Sequence, residues 1–326
     1  MQLGWMMVES LNRRTLLQWS LLTAAGTGFT RHSLAALPEM KAREASPGCW
    51  YVEGVSEMGS SSNQNFISNA GFIVTSDSVV VVDALGSPAA AERFVAEIRK
   101  VTPKKISTVI LTHYHADHIY GLQVFKALGA KIIAQQAARE YLYSETARLR
   151  LQASRTELAP WIDAKTELVP ADQWITGPTK LTEGDTEIQL LPVGPAHTPD
   201  DIVIWLPQRK TLYCGDLVFR GRIPYVGDAD SGHWIESLDE LLKLGVQVVI
   251  PGHGDISTDA AKDMQFTRGY LQYLRKTMGQ AAEDMTPFDD AYKATDWSQY
   301  EHMPLFGAAN RMNAYNTYLL MEHEAQ

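Results

Sequence analysis

Hydrophobic positions along this chain follow two periods, one typical of strands and one typical of helices. Short apolar runs rich in β-branched residues recur from about residue 49 onward. Between them lie longer stretches whose apolar residues return every three or four positions. We therefore predict an α/β domain in which strands and helices alternate. The predicted strands cover 49–55, 71–75, 78–83, 106–111, 131–134, 187–193 and 246–250, and the predicted helices cover 88–101, 117–128, 137–151, 258–285 and 308–323.

Two segments between these elements have no clear period. Ser76 and Asp77 separate two β-rich runs, which predicts a tight turn and an antiparallel start to a sheet. Residues 152–176 are irregular and contain Pro160 and Trp161 within polar sequence. Long irregular segments are often lids over binding sites, so this stretch is either a lid or ordinary packing.

The strand at 106–111 leads into a cluster of metal-ligand residues at 113–118, with the sequence His-Tyr-His-Ala-Asp-His. His113 and His115 are two positions apart, so on an extended chain their side chains emerge on the same side and can share one ion. Asp117 and His118 follow at the predicted start of a helix and point in another direction. They suit a second, adjacent ion. The motif is too dense in ligands to be an ordinary polar turn.

Three more candidate ligands each lie at the end of a predicted strand: His197 after 187–193, Asp216 at the end of a further strand that includes Tyr213, and His253 after 246–250. Glycine and proline surround His197, glycines flank His253, and Gly215 precedes Asp216, where it would let the backbone approach an ion. Their position after strands, in this order, links them to the first cluster. In catalytic zinc sites, the ion is commonly held by three neutral imidazoles, and one coordination position stays open for water or substrate. Nitrogen and carboxylate ligands without thiolate favour Zn²⁺, while iron and manganese stay open as alternatives.

This set of residues, in its order and spacing, resembles the metallo-β-lactamase-fold hydrolase superfamily over roughly residues 45–255. The resemblance implies a four-layer αββα sandwich, with two mixed sheets face to face, helices outside, and two zinc ions per chain at one edge. It implies that His113, His115 and His197 bind one ion, that Asp117, His118 and His253 bind the other, and that Asp216 bridges them. A bridging aspartate is typical of glyoxalase II-like dinuclear enzymes.

The implied activity is hydrolysis of a small ester, thioester, lactone or amide by a metal-bridging hydroxide, with Asp117 and Asp216 as the catalytic carboxylates. β-Lactamases of this fold usually carry another residue at the position of Asp216, so β-lactam hydrolysis is not favoured. The leader and the stretches 215–224 and 309–316 further resemble the quinoprotein relay system zinc metallohydrolases. Two alternatives remain: an iron-containing oxidising enzyme of this fold, or a non-catalytic accessory of a periplasmic quinoprotein dehydrogenase system.

The first 35 residues are typical of an export signal. Arg13 and Arg14 precede a weakly apolar segment at 16–29, and Ser33-Leu34-Ala35 offers small residues for cleavage. This pattern resembles a twin-arginine signal, which implies passage through the twin-arginine translocon and a periplasmic location. The predicted organisation is a signal peptide at 1–35, a metallo-β-lactamase-like domain at 36–255 and a C-terminal helical extension at 256–326.

Composition narrows the partners of the 326-residue chain. The net charge is −9 and the basic residues are scattered, which argues against nucleic acid as a partner. The small-molecule substrate is what the resemblance implies. We expect no stable membrane span, because no apolar run reaches 18 residues. Cys49 and Cys214 could form one bridge, although we expect Cys214 to be an ordinary buried residue.

Overall fold

The computed structural model describes residues 37–324, which fold around two β-sheets. The first sheet has seven strands in the order β1-β2-β3-β4-β5-β6-β7, and the second has five in the order β12-β11-β10-β9-β8. The first sheet is formed by β1 (Arg43–Ser46), β2 (Cys49–Val52), β3 (Ala70–Val74), β4 (Val79–Val82), β5 (Ile106–Ile110), β6 (Lys131–Gln135) and β7 (Gln173–Ile175). The second is formed by β8 (Thr179–Glu183), β9 (Thr186–Pro192), β10 (Ile202–Leu206), β11 (Thr211–Phe219) and β12 (Val248–His253).

Both sheets are mixed, and their strand directions follow from the connections. The predicted turn at Ser76 and Asp77 joins β3 to β4, which pair antiparallel. Strands β4, β5, β6 and β7 pair in parallel, with helices between β4 and β6. In the second sheet β11 and β12 are also parallel. Parallel neighbours deliver their carboxyl ends to one edge, which is where the candidate ligands follow.

The four consecutive valines of β4 show how the core is layered. All four are buried, and successive side chains point to opposite faces of the sheet. Val80 and Val82 face the second sheet and join the layer between the sheets, whereas Val79 and Val81 face the outer helices. A strand covered on both faces reads as a continuous apolar run, which explains the absence of alternation in its sequence.

Helices cover both outer faces, which confirms the predicted four-layer sandwich with a C-terminal helical region. The described helices are α1 (Pro88–Val101), α2 (Ala116–Ile119), α3 (Leu122–Ala127), α4 (Ala138–Leu142), α5 (Glu145–Glu157), α6 (Ser231–Leu242), α7 (Ala260–Glu283), α8 (Phe288–Ala294) and α9 (Phe306–Glu324). Helices α1 and α3 pack on the first sheet, and α6, α7 and α9 pack on the second. The predicted bounds of α1 are confirmed. Ser87 caps its first turn, because its side chain accepts a hydrogen bond from Ala90 N.

Two segments that were each predicted to form one helix form two helices instead. The helix predicted at 117–128 is divided into α2 and α3 around Tyr120 and Gly121. Gly121 N donates to Leu85 O, and a Cβ on Gly121 would lie 2.0 Å from Ala84 O, so the loop after β4 replaces part of the helical bonding. The helix predicted at 137–151 is likewise divided into α4 and α5, because Ser144 caps a new start.

The irregular segment at 152–176 packs against the first sheet. Leu158, Ile162 and Val169 are buried in the core cluster outside that sheet, and Trp161 Nε1 donates to Ser61 O over 2.6 Å. Its end forms the edge strand β7. Of the two interpretations left open by the sequence, the contacts favour packing.

Cys49 and Cys214 are buried and free, and they belong to different layers of the sandwich. The expected burial of Cys214 is confirmed. Among residues 37–324, no helix is long and apolar enough to cross a membrane. The predicted signal at 1–35 lies outside the described residues.

Candidate metal centre

Loops and strand ends at one edge of the sandwich bring all seven candidate ligands together. His113 and His115 follow β5, while Asp117 and His118 lie in α2. His197 lies between β9 and β10, Asp216 lies within β11, and His253 ends β12. Seven side chains spread over 141 positions of sequence thus meet in two groups, the first comprising His113, His115, His197 and Asp216 and the second Asp117, His118 and His253.

Three ring nitrogens converge in the first group. His115 Nδ1 lies 3.2 Å from His113 Nε2 and 2.9 Å from His197 Nε2. Asp216 Oδ2 approaches the same point, at 3.4 Å from His197 Nε2. All the ligand atoms of this group lie within 4.8 Å of one another. The predicted sharing of one ion by the two histidines of the His-Tyr-His segment is therefore geometrically possible.

The second group is built around Asp117. Its Oδ2 lies 3.7 Å from His118 Nε2 and 3.4 Å from His253 Nε2. Asp216 also faces this group, with Oδ1 at 3.3 Å from His118 Nε2 and Oδ2 at 3.3 Å from His253 Nε2. One carboxylate thus faces nitrogens of both groups, as a bridging ligand would.

Hydrogen bonds made by the Nδ1 atoms of His118 and His253 determine which ring nitrogen of each is unprotonated. His118 Nδ1 donates to Asp83 Oδ2 over 2.9 Å, and His253 Nδ1 donates to Ile67 O over 2.7 Å. Each ring in its neutral form therefore presents an unprotonated Nε2 to Asp216. His118 Nε2 and Asp216 Oδ1 are buried without a hydrogen-bond partner among the described residues. Two acceptors facing each other at 3.3 Å call for a cation between them, so the residues fit a metal ion.

The protonation states of the first group and of Asp216 agree with this fit. Burial lowers the pKa of His113 and His115, and it lowers the pKa of His197 to about 3, so the imidazoles of the first group are neutral. Burial alone would raise the pKa of Asp216, but His253 and His118 hold it well below its ordinary value. In the second group, burial alone would lower the pKa of His118 and His253, but the neighbouring carboxylates raise it, so these two rings hold protons that a metal ion would displace. Neutral imidazoles and ionised carboxylates are the forms that bind metal.

Asp83 is an important residue of the site that the sequence interpretation missed. It directly follows β4 and accepts three hydrogen bonds: from Thr112 N, from Thr112 Oγ1, both over 2.8 Å, and from His118 Nδ1. Thr112 Oγ1 in turn lies 3.0 Å from His113 Nδ1. Asp83 therefore orients histidines of both groups. The available signal was a polar residue at the end of a buried strand parallel to β5.

Two glycines at the centre leave room for neighbouring side chains. Gly215 has φ +51°, and its added Cβ would lie 2.7 Å from the Thr112 side chain. The expectation that Gly215 brings the backbone near an ion stays a prediction, and the close contact shown at Gly215 is the one with Thr112. At Gly252, an added Cβ would lie 1.9 Å from Asp216 Oδ1. The space for the Asp216 carboxylate is therefore left by Gly252, beside His253.

Similarity to known proteins agrees with this geometry. Residues 64–253 match the family model described as Metallo-beta-lactamase superfamily. The chain belongs to the metallo-β-lactamase superfamily. It is 28% identical over 245 residues to a type 2 metallo-beta-lactamase of Elizabethkingia meningoseptica, covering 73% of this chain and 88% of that protein.

A second relative within the superfamily is a linear primary-alkylsulfatase of a Pseudomonas strain, 25% identical over 248 residues. That match covers 65% of this chain and 47% of the sulfatase, so the chain spans about half its length. A solved metallo-beta-lactamase from Pontibacter korlensis superposes with a TM-score of 0.56 at 20% identity, covering 72% of this chain and 99% of that one, which shows the shared fold. These superfamily relatives are hydrolases, and the superfamily typically binds two zinc ions. The chain is accordingly a hydrolase of the metallo-β-lactamase superfamily with a candidate metal-binding site.

The loop after β11 adds residues that the sequence interpretation did not assign to the site. Arg222 is buried, with Nη1 at 3.3 Å from His253 Nδ1. Its guanidinium lies over Phe219, whose ring stacks on His253 with centroids 5.1 Å apart. Burial lowers the pKa of Arg222, while Asp216 and Asp117 act in the opposite direction. This superfamily member thus places a buried positive charge behind the second group of ligands.

Proposed function

We propose that this protein is a periplasmic dinuclear zinc hydrolase that cleaves a small ester, thioester, lactone or amide. The observation that carries the proposal is the position of Asp216. Its two oxygens lie 3.3–3.4 Å from nitrogens of His118, His253 and His197, which come from both groups. A carboxylate shared by two sets of ligands is the arrangement expected where two cations lie side by side.

Most of the candidate ligands would only bind the metal ions, and one carboxylate would also transfer protons. Two zinc ions, when bound, would polarise the scissile carbonyl and supply a hydroxide nucleophile at neutral pH. His113, His115 and His197 would hold one of them, and Asp117, His118 and His253 the other. Of the two carboxylates, the Asp117 side chain is 17% exposed and that of Asp216 is 4% exposed. Asp117 is therefore nearer the substrate side, where the carboxylate oxygen that does not face His118 and His253 can take a proton from water and return one to the leaving group.

β-Lactam hydrolysis is a second candidate, favoured by the 28% identity to a type 2 metallo-beta-lactamase. The position of Asp216 argues against β-lactam hydrolysis. A carboxylate that occupies the space between two ions would compete with the anionic nitrogen that a cleaved β-lactam presents there. Because function depends on the site and not on the fold, we place small carbonyl esters and thioesters first.

The proposed location and the proposed partner system rest on the sequence. The Arg13-Arg14 leader supports export through the twin-arginine translocon to the periplasm. The resemblance to quinoprotein relay system metallohydrolases supports a role beside a quinoprotein dehydrogenase system. If that role were purely that of an accessory, the protein would bind metal without turnover; if the ions were iron, an oxidising reaction would replace hydrolysis.

The test combines metal analysis with a substrate panel. We expect about two zinc ions per chain after loading at neutral pH, and faster hydrolysis of thioesters, lactones and aryl esters than of penicillins, cephalosporins, carbapenems or alkyl sulfates. His113→Ala should abolish turnover, whereas the matched control His302→Ala, at an exposed histidine outside both groups, should retain it.

Each alternative has its own outcome in that test. Tightly bound iron with no hydrolysis would favour the oxidising enzyme, and two ions with no turnover would favour the accessory role. A kcat/KM of about 10⁴ M⁻¹s⁻¹ or more on a β-lactam, with slower ester hydrolysis, would replace the first candidate by the second.

A further inference from the structure

The candidate metal centre opens on the side of His115 and Asp117. These two ligands are partly exposed, whereas the other five are buried. A substrate must therefore approach over His115 and Asp117. The side chains around this opening decide what can approach.

Two tyrosines lie beside His115 at this opening. Tyr225, on the loop after β11, is 36% exposed, and its ring centroid lies 6.1 Å from that of His115 and 6.2 Å from that of His197. Tyr114 lies edge-on to His115 at 5.3 Å and stacks on Tyr141 at 4.0 Å. Exposed aromatic area next to a reactive centre is suited to binding a flat apolar group.

The backbone around Tyr225 is held by α9. Asn313, fully buried in that helix, accepts from Val226 N over 2.9 Å and donates to Pro224 O over 2.7 Å. It therefore binds the residues on both sides of Tyr225. Asn316 Nδ2 donates to Gly227 O over 2.9 Å, and the segment before α9 accepts from Ile223 N through Pro304 O over 3.1 Å. Four hydrogen bonds thus fix residues 223–227 to the C-terminal region.

The conformation of the loop also depends on Gly227. This residue has φ +54°, and an added Cβ would lie 2.9 Å from the ring of Tyr225. A larger residue would be strained there and would push the ring. The loop is therefore built to keep Tyr225 in one place, although the ring itself is exposed. A rigid backbone beneath an exposed aromatic ring is typical of a binding site.

We propose that Tyr225 and Tyr114 form an aromatic subsite that takes a planar group of the substrate beside His115, and that Asn313 is the positioning residue that holds Tyr225 there. This inference rests on the proposed hydrolytic function and narrows it to carbonyl substrates that carry an aromatic ring near the scissile bond. The C-terminal helices lie beyond the superfamily match at 64–253, so this chain adds its own support to the site.

The first experiment measures binding without turnover. Phenylacetate and cyclohexylacetate carry the same carboxylate and differ in the planarity of the ring, so they are compared by calorimetry on the zinc-loaded, full-length mature protein. We expect phenylacetate to bind roughly two- to tenfold more tightly, the range of an aromatic contact. Tyr225→Ala should remove the preference, and Tyr225→Phe should keep it. Equal binding of the two acids, or no measurable binding of phenylacetate, would overturn the subsite.

The second experiment tests the role of Asn313. Phenylacetyl and cyclohexylacetyl thioesters of one thiol are hydrolysed by the wild type, Asn313→Ala, Tyr225→Ala and the double variant. We expect Asn313→Ala to raise KM for the phenyl substrate while kcat and zinc content change less than about twofold. The double variant should lose no more than Tyr225→Ala alone, because Asn313 acts through Tyr225. Additive losses would contradict the positioning role.

Controls separate positioning from general destabilisation. Tyr315→Ala removes a 44% exposed tyrosine from the same helix, where its ring packs on Phe288, and should leave the preference intact. If Asn313→Ala does not fold, Asn316→Ala, which loses the bonds to Gly227 O and Asp228 Oδ1, takes its place with a smaller expected effect in the same direction. A preference for phenylacetate without hydrolysis would refute the proposed function and leave the subsite standing; hydrolysis without preference would do the opposite.

Discussion

Replacing Asp83 by asparagine is the sharpest test of how this site holds its second ion. Asp83 Oδ1 accepts from Thr112 N, and Oδ2 accepts from both Thr112 Oγ1 and His118 Nδ1. An asparagine that keeps its oxygen on Thr112 N must turn its NH₂ group toward His118. That group is a donor, so His118 Nδ1 would have to accept and its proton would move to Nε2. Nε2 is the atom that faces Asp117 and Asp216 and would bind the ion.

The expected loss in zinc affinity is the loss caused by removing the hydrogen-bond partner of a metal-binding histidine. Removing such a partner typically lowers metal affinity 10- to 100-fold, or about 1.4–2.7 kcal/mol. Strain does not contribute, because Asp83 has φ +63° and asparagine tolerates this conformation well. The effect should be largest on the ion held by His118, which Asp83 contacts directly, and smaller on the ion held by His113, which Asp83 reaches only through Thr112 Oγ1.

Competition with a chromogenic zinc chelator measures the two affinities separately. We expect the weaker of two binding steps to shift by 10- to 100-fold in Asp83→Asn, with the melting temperature of the metal-free protein little changed. Asp77→Asn, an exposed aspartate in the turn before β4, is the matched control and should bind zinc like the wild type. Unchanged zinc affinity in Asp83→Asn would refute the assignment of the His118 tautomer.

Three further predictions follow. Asp216→Ala should retain one zinc ion on His113, His115 and His197 and lose most hydrolysis, as measured by elemental analysis and turnover; two retained ions would contradict bridging. Arg13→Lys with Arg14→Lys should stop appearance of the processed protein in the periplasm, which fractionation and immunoblotting detect, and unchanged export would refute the leader interpretation. Burial raises the pKa of Asp200 to about 7 from 3.8, so the folded state prefers the neutral acid and stability is lost as pH rises between these values. Asp200→Asn should therefore stabilise the metal-free protein increasingly from pH 4 to 7, by up to about 4 kcal/mol in urea unfolding; a gain independent of pH would refute it.

Much of the architecture and the ligand set could be predicted from the sequence, because the signals are local. The apolar run of β4, the capped start of α1 and the His-Tyr-His-Ala-Asp-His segment after β5 each lie within a few residues. Periodicity and turn chemistry act over such distances, so they identify strands, a helix and strand-end ligands. The assignment of His197, Asp216 and His253 to one group or the other could be made in advance only through the superfamily resemblance.

Tertiary structure alone decided which residues support those ligands. Asp83 and His118 are 35 positions apart, and Asn313 reaches Val226 across 87 positions. Nothing in the local pattern around Asp83 or Asn313 distinguishes them from other polar residues, because their hydrogen-bond partners arrive only when parallel strands and the C-terminal helix pack. The division of the predicted helix at 117–128 has the same origin, since it follows from the contact of Gly121 with the loop after β4. Local sequence therefore determined which groups can bind metal, and packing determined how they are oriented and what surrounds them.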